Sequence, residues 1–147
     1  MPLICHCEEA CPWLNAGTAA GVLGGAVKTS VTHDKNKDDG VCEFIREQDS
    51  AAAALRIEVR TMLAPKAEFP SFAARCGAAP APIKAIGNEA VACKLDGTNG
   101  AFTAQIVSRV RDRAFLVSVT TNDRSIAKPA LEGKCRSVAE QVAGALF

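Results

Sequence analysis

Period-two alternation of apolar and polar positions dominates this chain, interrupted by three stretches with helical spacing. Leu55 to Thr61 is the clearest strand: Leu55, Ile57 and Val59 fall on one face, Arg56, Glu58 and Arg60 on the other. One buried face and one wet face are what an antiparallel sheet requires. Val27 to Thr32 and Val41 to Glu47 read as two earlier strands, joined by the polar turn Asp34 to Gly40, and Asp49-Ser50 turns the chain again. Glu89 to Leu95 places Val91, Cys93 and Leu95 on one face. A turn from Asp96 to Gly100 leads into a strand from Phe102 to Arg111, which a tight turn at Asp112-Arg113 returns as Ala114 to Thr121. Pairing Val110 with Phe115, Ser108 with Val117 and Ile106 with Val119 makes a mostly apolar ladder on one side of that hairpin.

The three helical stretches differ in character. Asn15 is placed to cap a short helix through Ala19, Ala20 and Leu23, stopped by Gly24-Gly25. Gly17, Gly21 and Gly25 recur every four residues, and their smooth face is expected to pack closely on the sheet, the alternative being a face pressed against a partner or ligand. Pro65 to Cys76 suits a helix interrupted at Pro70, with Phe69, Phe72 and Ala73 available for packing. Ala78 to Pro82 reads as an extended connector, because residues preceding proline avoid the helical region. Ala127 to Leu146 is a long amphipathic helix with a stripe of Leu131, Cys135, Val138, Val142 and Leu146 and with Lys134, Arg136 and Glu140 outward. Helix, three strands, helix, three strands, helix predicts an α+β fold, an antiparallel sheet of about six strands covered by three helices. Residues 1–10 read as an N-terminal tail or the remnant of an export segment, and residues 11–147 as a single domain.

Composition narrows the function classes. A chain of 147 residues makes one ordinary domain, and a net charge of +1 supplies no field to concentrate nucleic acid or an anionic membrane surface. Tyr is absent and Trp occurs once, so a stacking platform for bases is not expected. The longest uncharged stretch, Leu14 to Val27, is 14 residues, short of the ~20 a transmembrane helix needs.

Cysteine usage changes the picture most. Five of the seven, Cys11, Cys42, Cys76, Cys93 and Cys135, are scattered through the domain at spacings that suit cross-links in an oxidising compartment better than a metal site. Their positions predict disulfides Cys11–Cys42 and Cys76–Cys93, with Cys135 a free thiol in the apolar stripe of the last helix. The expected location is therefore extracytoplasmic: secreted, periplasmic or envelope-associated. A cytoplasmic protein with reduced thiols is the alternative. Met1-Pro-Leu-Ile has neither the basic start nor the apolar run of a signal peptide, which fits export only if Met1 is a late start and Leu3-Ile4 the stub of an export signal.

Three phrases occur together: Cys11-Pro-Trp-Leu-Asn ahead of Gly-Val-Leu-Gly-Gly25, Ala85-Ile-Gly-Asn-Glu-Ala-Val91, and Val107 through Phe115 followed by a C-terminal helix. The combination resembles small exported bacterial envelope proteins and lipoproteins with a PsbP-like, Mog-type α-β-α sandwich of the LpqN kind. That resemblance spans roughly residues 11–147. It implies an exported, non-enzymatic domain, transfers no catalytic residue and brings no cofactor. Lipidation would require an acylated cysteine after a lipobox, a context Cys5 and Cys7 lack.

Candidate chemistry is sparse. Cys5-His6-Cys7, with Cys11 four residues on, offers zinc or copper ligands and would make the protein a metal carrier. A thiol-dependent hydrolase or redox protein would draw on Cys135 or Cys93 with His33, the one histidine outside the tail. Asp34, Asp38 and Asp39 suggest calcium, but Lys35 and Lys37 between them favour a solvated turn. The glycines at 17, 21, 24 and 25 lack the Gly-Lys-Ser/Thr of a phosphate loop. Arg109, Arg111 and Arg113, joined by Arg124, would form an anion-binding patch at one end of the last hairpin, with Arg109 and Arg111 sharing a strand face. The leading expectation is a binding or interaction module for an unknown protein or small molecule. Ligand and oligomeric state are not legible.

Overall fold

The computed structural model describes residues 9–35, 38–46, 52–96 and 100–147. The alternating stretches become β1 (Val27–His33), β2 (Gly40–Arg46), β3 (Ala53–Thr61), β4 (Ala78–Ile83), β5 (Glu89–Asp96), β6 (Phe102–Val110) and β7 (Arg113–Thr121). The helical stretches become α1 (Ala16–Leu23), α2 (Pro65–Ala73) and α3 (Lys128–Leu146). All seven strands join one antiparallel sheet in the order β1-β2-β3-β7-β6-β5-β4. The fold is α+β, as the element order predicts.

The main core lies on one face of this sheet. Leu55, Ile57 and Val59 of β3 join Phe115, Val117 and Val119 of β7 beneath Leu131, Cys135, Val138 and Val142 of α3 and Ala19 and Leu23 of α1. A smaller cluster on the other face gathers Val107, Ala114 and Leu116 under Phe69 of α2. The helix ends are individually explained. The Asn15 side chain accepts from the Thr18 amide at 2.7 Å, and Gly24 takes a left-handed φ of 82° to close α1. The buried Arg46 of β2 then donates to the Leu23 carbonyl at 2.6 Å, setting a cation at the negative end of that helix.

Four expectations are corrected. Ala78–Ile83 is the seventh strand rather than a connector: β4 is an edge, so Pro80 and Pro82 forfeit no bond to a further neighbour, and the pairing with β5 shifts register between Ala78 and Ala81. The last hairpin closes as Val110 opposite Arg113, which sets Ser108 against Phe115 and Ile106 against Val117. Its turn is Arg111-Asp112, with Arg111 at a φ of 56°, the left-handed geometry that two-residue hairpin loops favour. A shift of two leaves every side chain on its expected face. The glycine face of α1 points outward, since a Cβ at Gly21 would meet nothing within 4 Å, and the helix buries Ala19 and Leu23 instead. Glu58, expected in water, is buried because Arg75, just past α2, folds over it while Arg56 and Arg60 flank it at 3.9 and 3.7 Å.

The phrase Ala85 to Val91 turns out to be a structural clasp. Ile86 is buried, the Asn88 amide donates to the Arg109 carbonyl at 2.7 Å, and Asn88 Oδ1 accepts from the Arg111 amide at 2.6 Å. Gly87, at a φ of 60°, has no room for a side chain: a Cβ would lie 2.4 Å from the Arg109 carbonyl oxygen. These contacts fasten the β4–β5 connection to the end of the β6–β7 hairpin.

Candidate binding site

The cysteines set the frame around every candidate. Cys11, just ahead of α1, lies at disulfide distance from Cys42 of β2, with a Cα separation of 5.9 Å. Cys76, after α2, stands in the same relation to Cys93 of β5, also at 5.9 Å. Cys135 is a buried free thiol whose Sγ approaches the carbonyls of Ala104 and Val117 at 3.5 and 3.6 Å. Burial pushes its pKa up from 9.0 to about 12, so it is a protonated thiol at neutral pH and a poor nucleophile.

His33 and these sulfurs are not brought together. His33 ends β1 and bonds Glu9, whereas Cys135 sits over β6 and β7. β1 and β7 are three strand spacings apart, roughly 14 Å. Cys93 is paired with Cys76. Replacing His33 by Ala should therefore leave the thermal melt within about 0.5 kcal/mol of wild type and remove no activity. Loss of a wild-type hydrolase or thiol-exchange activity in that variant would contradict this.

Cys135 also predicts a pH effect. Its folded pKa is raised above the unfolded value, so below pH 9.0 both states hold the proton and its contribution to stability is fully present. Between 9.0 and about 12 only the unfolded chain gives the proton up, and stability falls by up to ~1.4 kcal/mol per pH unit. Denaturant melts of wild type and Cys135→Ala from pH 8 to 11 should converge as pH rises, the wild type losing more. Parallel curves would refute the buried, protonated thiol.

The arginine patch is divided by the register. Arg109 lies on the α2 side and commits all three guanidinium nitrogens, two to Glu89 Oε2 at 3.0 and 2.9 Å and one to the Arg111 carbonyl at 2.7 Å. Arg113 faces the other side of the sheet and donates to the Asp38 carbonyl. Arg124 follows β7 at the opposite end of the hairpin, beside Gly100. Arg109 and Arg111 do share one shallow hollow of about 580 Å³, floored by Ala64, Pro65 and Ala67 and rimmed by Lys66 and Asp112. Glu89 already neutralises Arg109, which leaves Arg111 and Lys66 against Asp112 around this hollow.

A second, deeper cavity of about 350 Å³ lies between α3 and the β4–β5 edge. Ala81, Ala92 and Ala104 present small side chains there, and Ile106 and Cys135 complete an apolar wall. The space exists because α3 packs over β6 and β7, while β4 and β5 present the small side chains of Ala81 and Ala92 beside it. Lys94 of β5 reaches across to Glu132 of α3 at 2.9 Å. Further along, Arg136 of α3 donates to the Lys84 carbonyl just past β4 at 3.0 Å. The cavity is thus apolar inside and polar at its rim, the usual plan of a small-molecule site, and its volume lies within the range of roughly 300–1,000 Å³ such sites occupy. Alanines carry no chemical signature, so motif reading passes over it. The one available signal was their recurrence at 81, 92 and 104 on neighbouring strands.

The tail motif Cys5-His6-Cys7 lies outside the described residues. Of the acidic turn, Asp34 pairs with Arg60 at 3.6 Å and Asp39 accepts from the Thr61 hydroxyl at 2.7 Å. Among the described residues no three His, Cys, Asp or Glu side chains group as metal ligands. Compared with known proteins, the chain matches no family model, no curated protein and no solved structure.

Proposed function

We propose that this chain is an exported, non-enzymatic binding domain, built on the plan of the PsbP-like envelope proteins it resembles, which holds a small ligand between α3 and the β4–β5 edge. The observation that carries the reading is the α3 cavity itself: an apolar recess rimmed by an ion pair, whose lining free thiol, Cys135, is held protonated by burial. The wall strand β5 is tied through Cys93 to the end of α2, so that wall is held by covalent linkage as well as by the sheet.

Export is supported by the two cysteine pairs at disulfide distance, a feature of oxidising compartments. Among the described residues no helix is long and apolar enough to cross a membrane. Fractionation of native cells producing the protein from its own gene tests the reading. Recovery outside the cytoplasm with both cysteine pairs bridged is expected, and a fully reduced cytoplasmic pool would overturn it.

A further inference from the structure

We infer that the cavity beneath α3 takes a slender aliphatic carboxylate, with its chain along the alanine wall and its head group at Lys94. The inference rests on the binding-domain reading and adds the ligand's class.

Size comes first. At about 350 Å³ the cavity is larger than the roughly 150 Å³ that accommodates a benzene ring in an engineered protein cavity, so it has room for a chain of several methylenes. Shape follows from the walls. The recess runs between a helix and three strands, so an extended chain can lie against Ala81 and Ala92 on one side and α3 on the other. The Cys135 thiol in that wall is protonated at neutral pH and brings no repelling charge.

The head group follows from the rim. Three ion pairs line this side of α3: Lys128 with Asp96 at 3.0 Å, Lys94 with Glu132 at 2.9 Å, and Arg136 with Glu140 at 3.2 Å. Lys84, whose backbone carbonyl accepts from Arg136, is a further cation just past β4 and makes no ion pair among the described residues. Of these groups, Lys94 and Glu132 line the cavity directly. The Lys94 side chain is 62% exposed, and its ammonium has three donors, enough to hold Glu132 and donate to a second carboxylate. A cationic head would instead have to compete with Lys94 for Glu132.

The test is isothermal titration of the folded protein with octanoate, octanol and octylamine, which share a chain and differ in head group. Octanoate should bind saturably and several-fold more tightly than the other two. Lys94→Gln should weaken octanoate a few-fold and leave octanol unchanged, as expected for one exposed ion pair. Ala92→Leu should abolish binding by filling the recess. Ala81→Leu, at an exposed edge position that substitution should not unfold, serves the same purpose if Ala92→Leu does not fold. Octanol or octylamine binding as tightly as octanoate would overturn the carboxylate assignment alone. No saturable binding of any probe, or equal binding to a folded cavity-filling variant, would overturn the cavity as a site and the binding-domain reading with it.

Discussion

A Val138→Asp variant should fail to fold, or melt with a loss of about 3–5 kcal/mol, the scale set by an uncompensated buried charge. Val138 is fully buried in the middle of α3, packed into the cluster that joins the helix to β6 and β7. An ionised carboxylate there would face only apolar neighbours, and protonating it would still leave a polar group without a partner. Domains of this kind hold a net stability of only about 5–15 kcal/mol, so such a loss consumes much of it. Glu140→Ala supplies the control on the same helix. Its carboxylate is exposed and makes a single pair with Arg136 four residues earlier, at 3.2 Å, so its removal should cost no more than about 0.5 kcal/mol. Thermal or denaturant melts of the two variants check both. A Val138→Asp protein that melts like wild type would mean that α3 does not bury this face.

The second large effect is covalent. Replacing Cys11 and Cys42 together by Ala should lower stability by about 3–4 kcal/mol. The two cysteines are 31 residues apart in sequence, and linking them removes much of the freedom of the unfolded segment that contains α1 and β1. Besides that link the segment leading into α1 is held by the burial of Trp13 and Leu14 and by the exposed contact of Glu9 with His33, and it should fray when the link is lost. Cys76 and Cys93 are separated by 17 residues, and the same replacement there should cost slightly less, about 3 kcal/mol. The ratio of the two losses is informative because the logarithmic dependence on loop length makes them nearly equal. Urea melts of both double variants under non-reducing conditions provide the comparison. Stability unchanged from wild type in either would show that the pair is not bridged in solution.

How far the sequence could be read depended on which physical signal each element carries. Leu55, Ile57 and Val59 alternate with charges, so β3 and its buried face were plain. The α3 stripe was equally plain, since Leu131, Cys135, Val138 and Val142 recur at helical spacing. β4 was hidden because Pro80 and Pro82 argue against a strand, and only its place at the sheet edge makes them tolerable. The hairpin register escaped by two residues because both registers keep the same faces buried, and the observed one places Arg111 in the turn at a positive φ. Glu58 was misplaced for a different reason: its neighbours along the strand are wet, and only the fold brings Arg75 over it.

The site was less legible than the fold. The arginines at 109, 111 and 113 drew notice through their charge, yet tertiary contacts divide them between two faces and neutralise the first. The cavity drew none, because it is defined by what alanines leave unfilled.

The most direct test of the central claim is a peptide map of the non-reduced protein recovered from its native source, with free thiols alkylated before digestion under denaturing conditions. The account predicts two bridged peptide pairs, Cys11 with Cys42 and Cys76 with Cys93, and an alkylated Cys135. Alkylation of all five of these cysteines, or a bridge to Cys135, would contradict it.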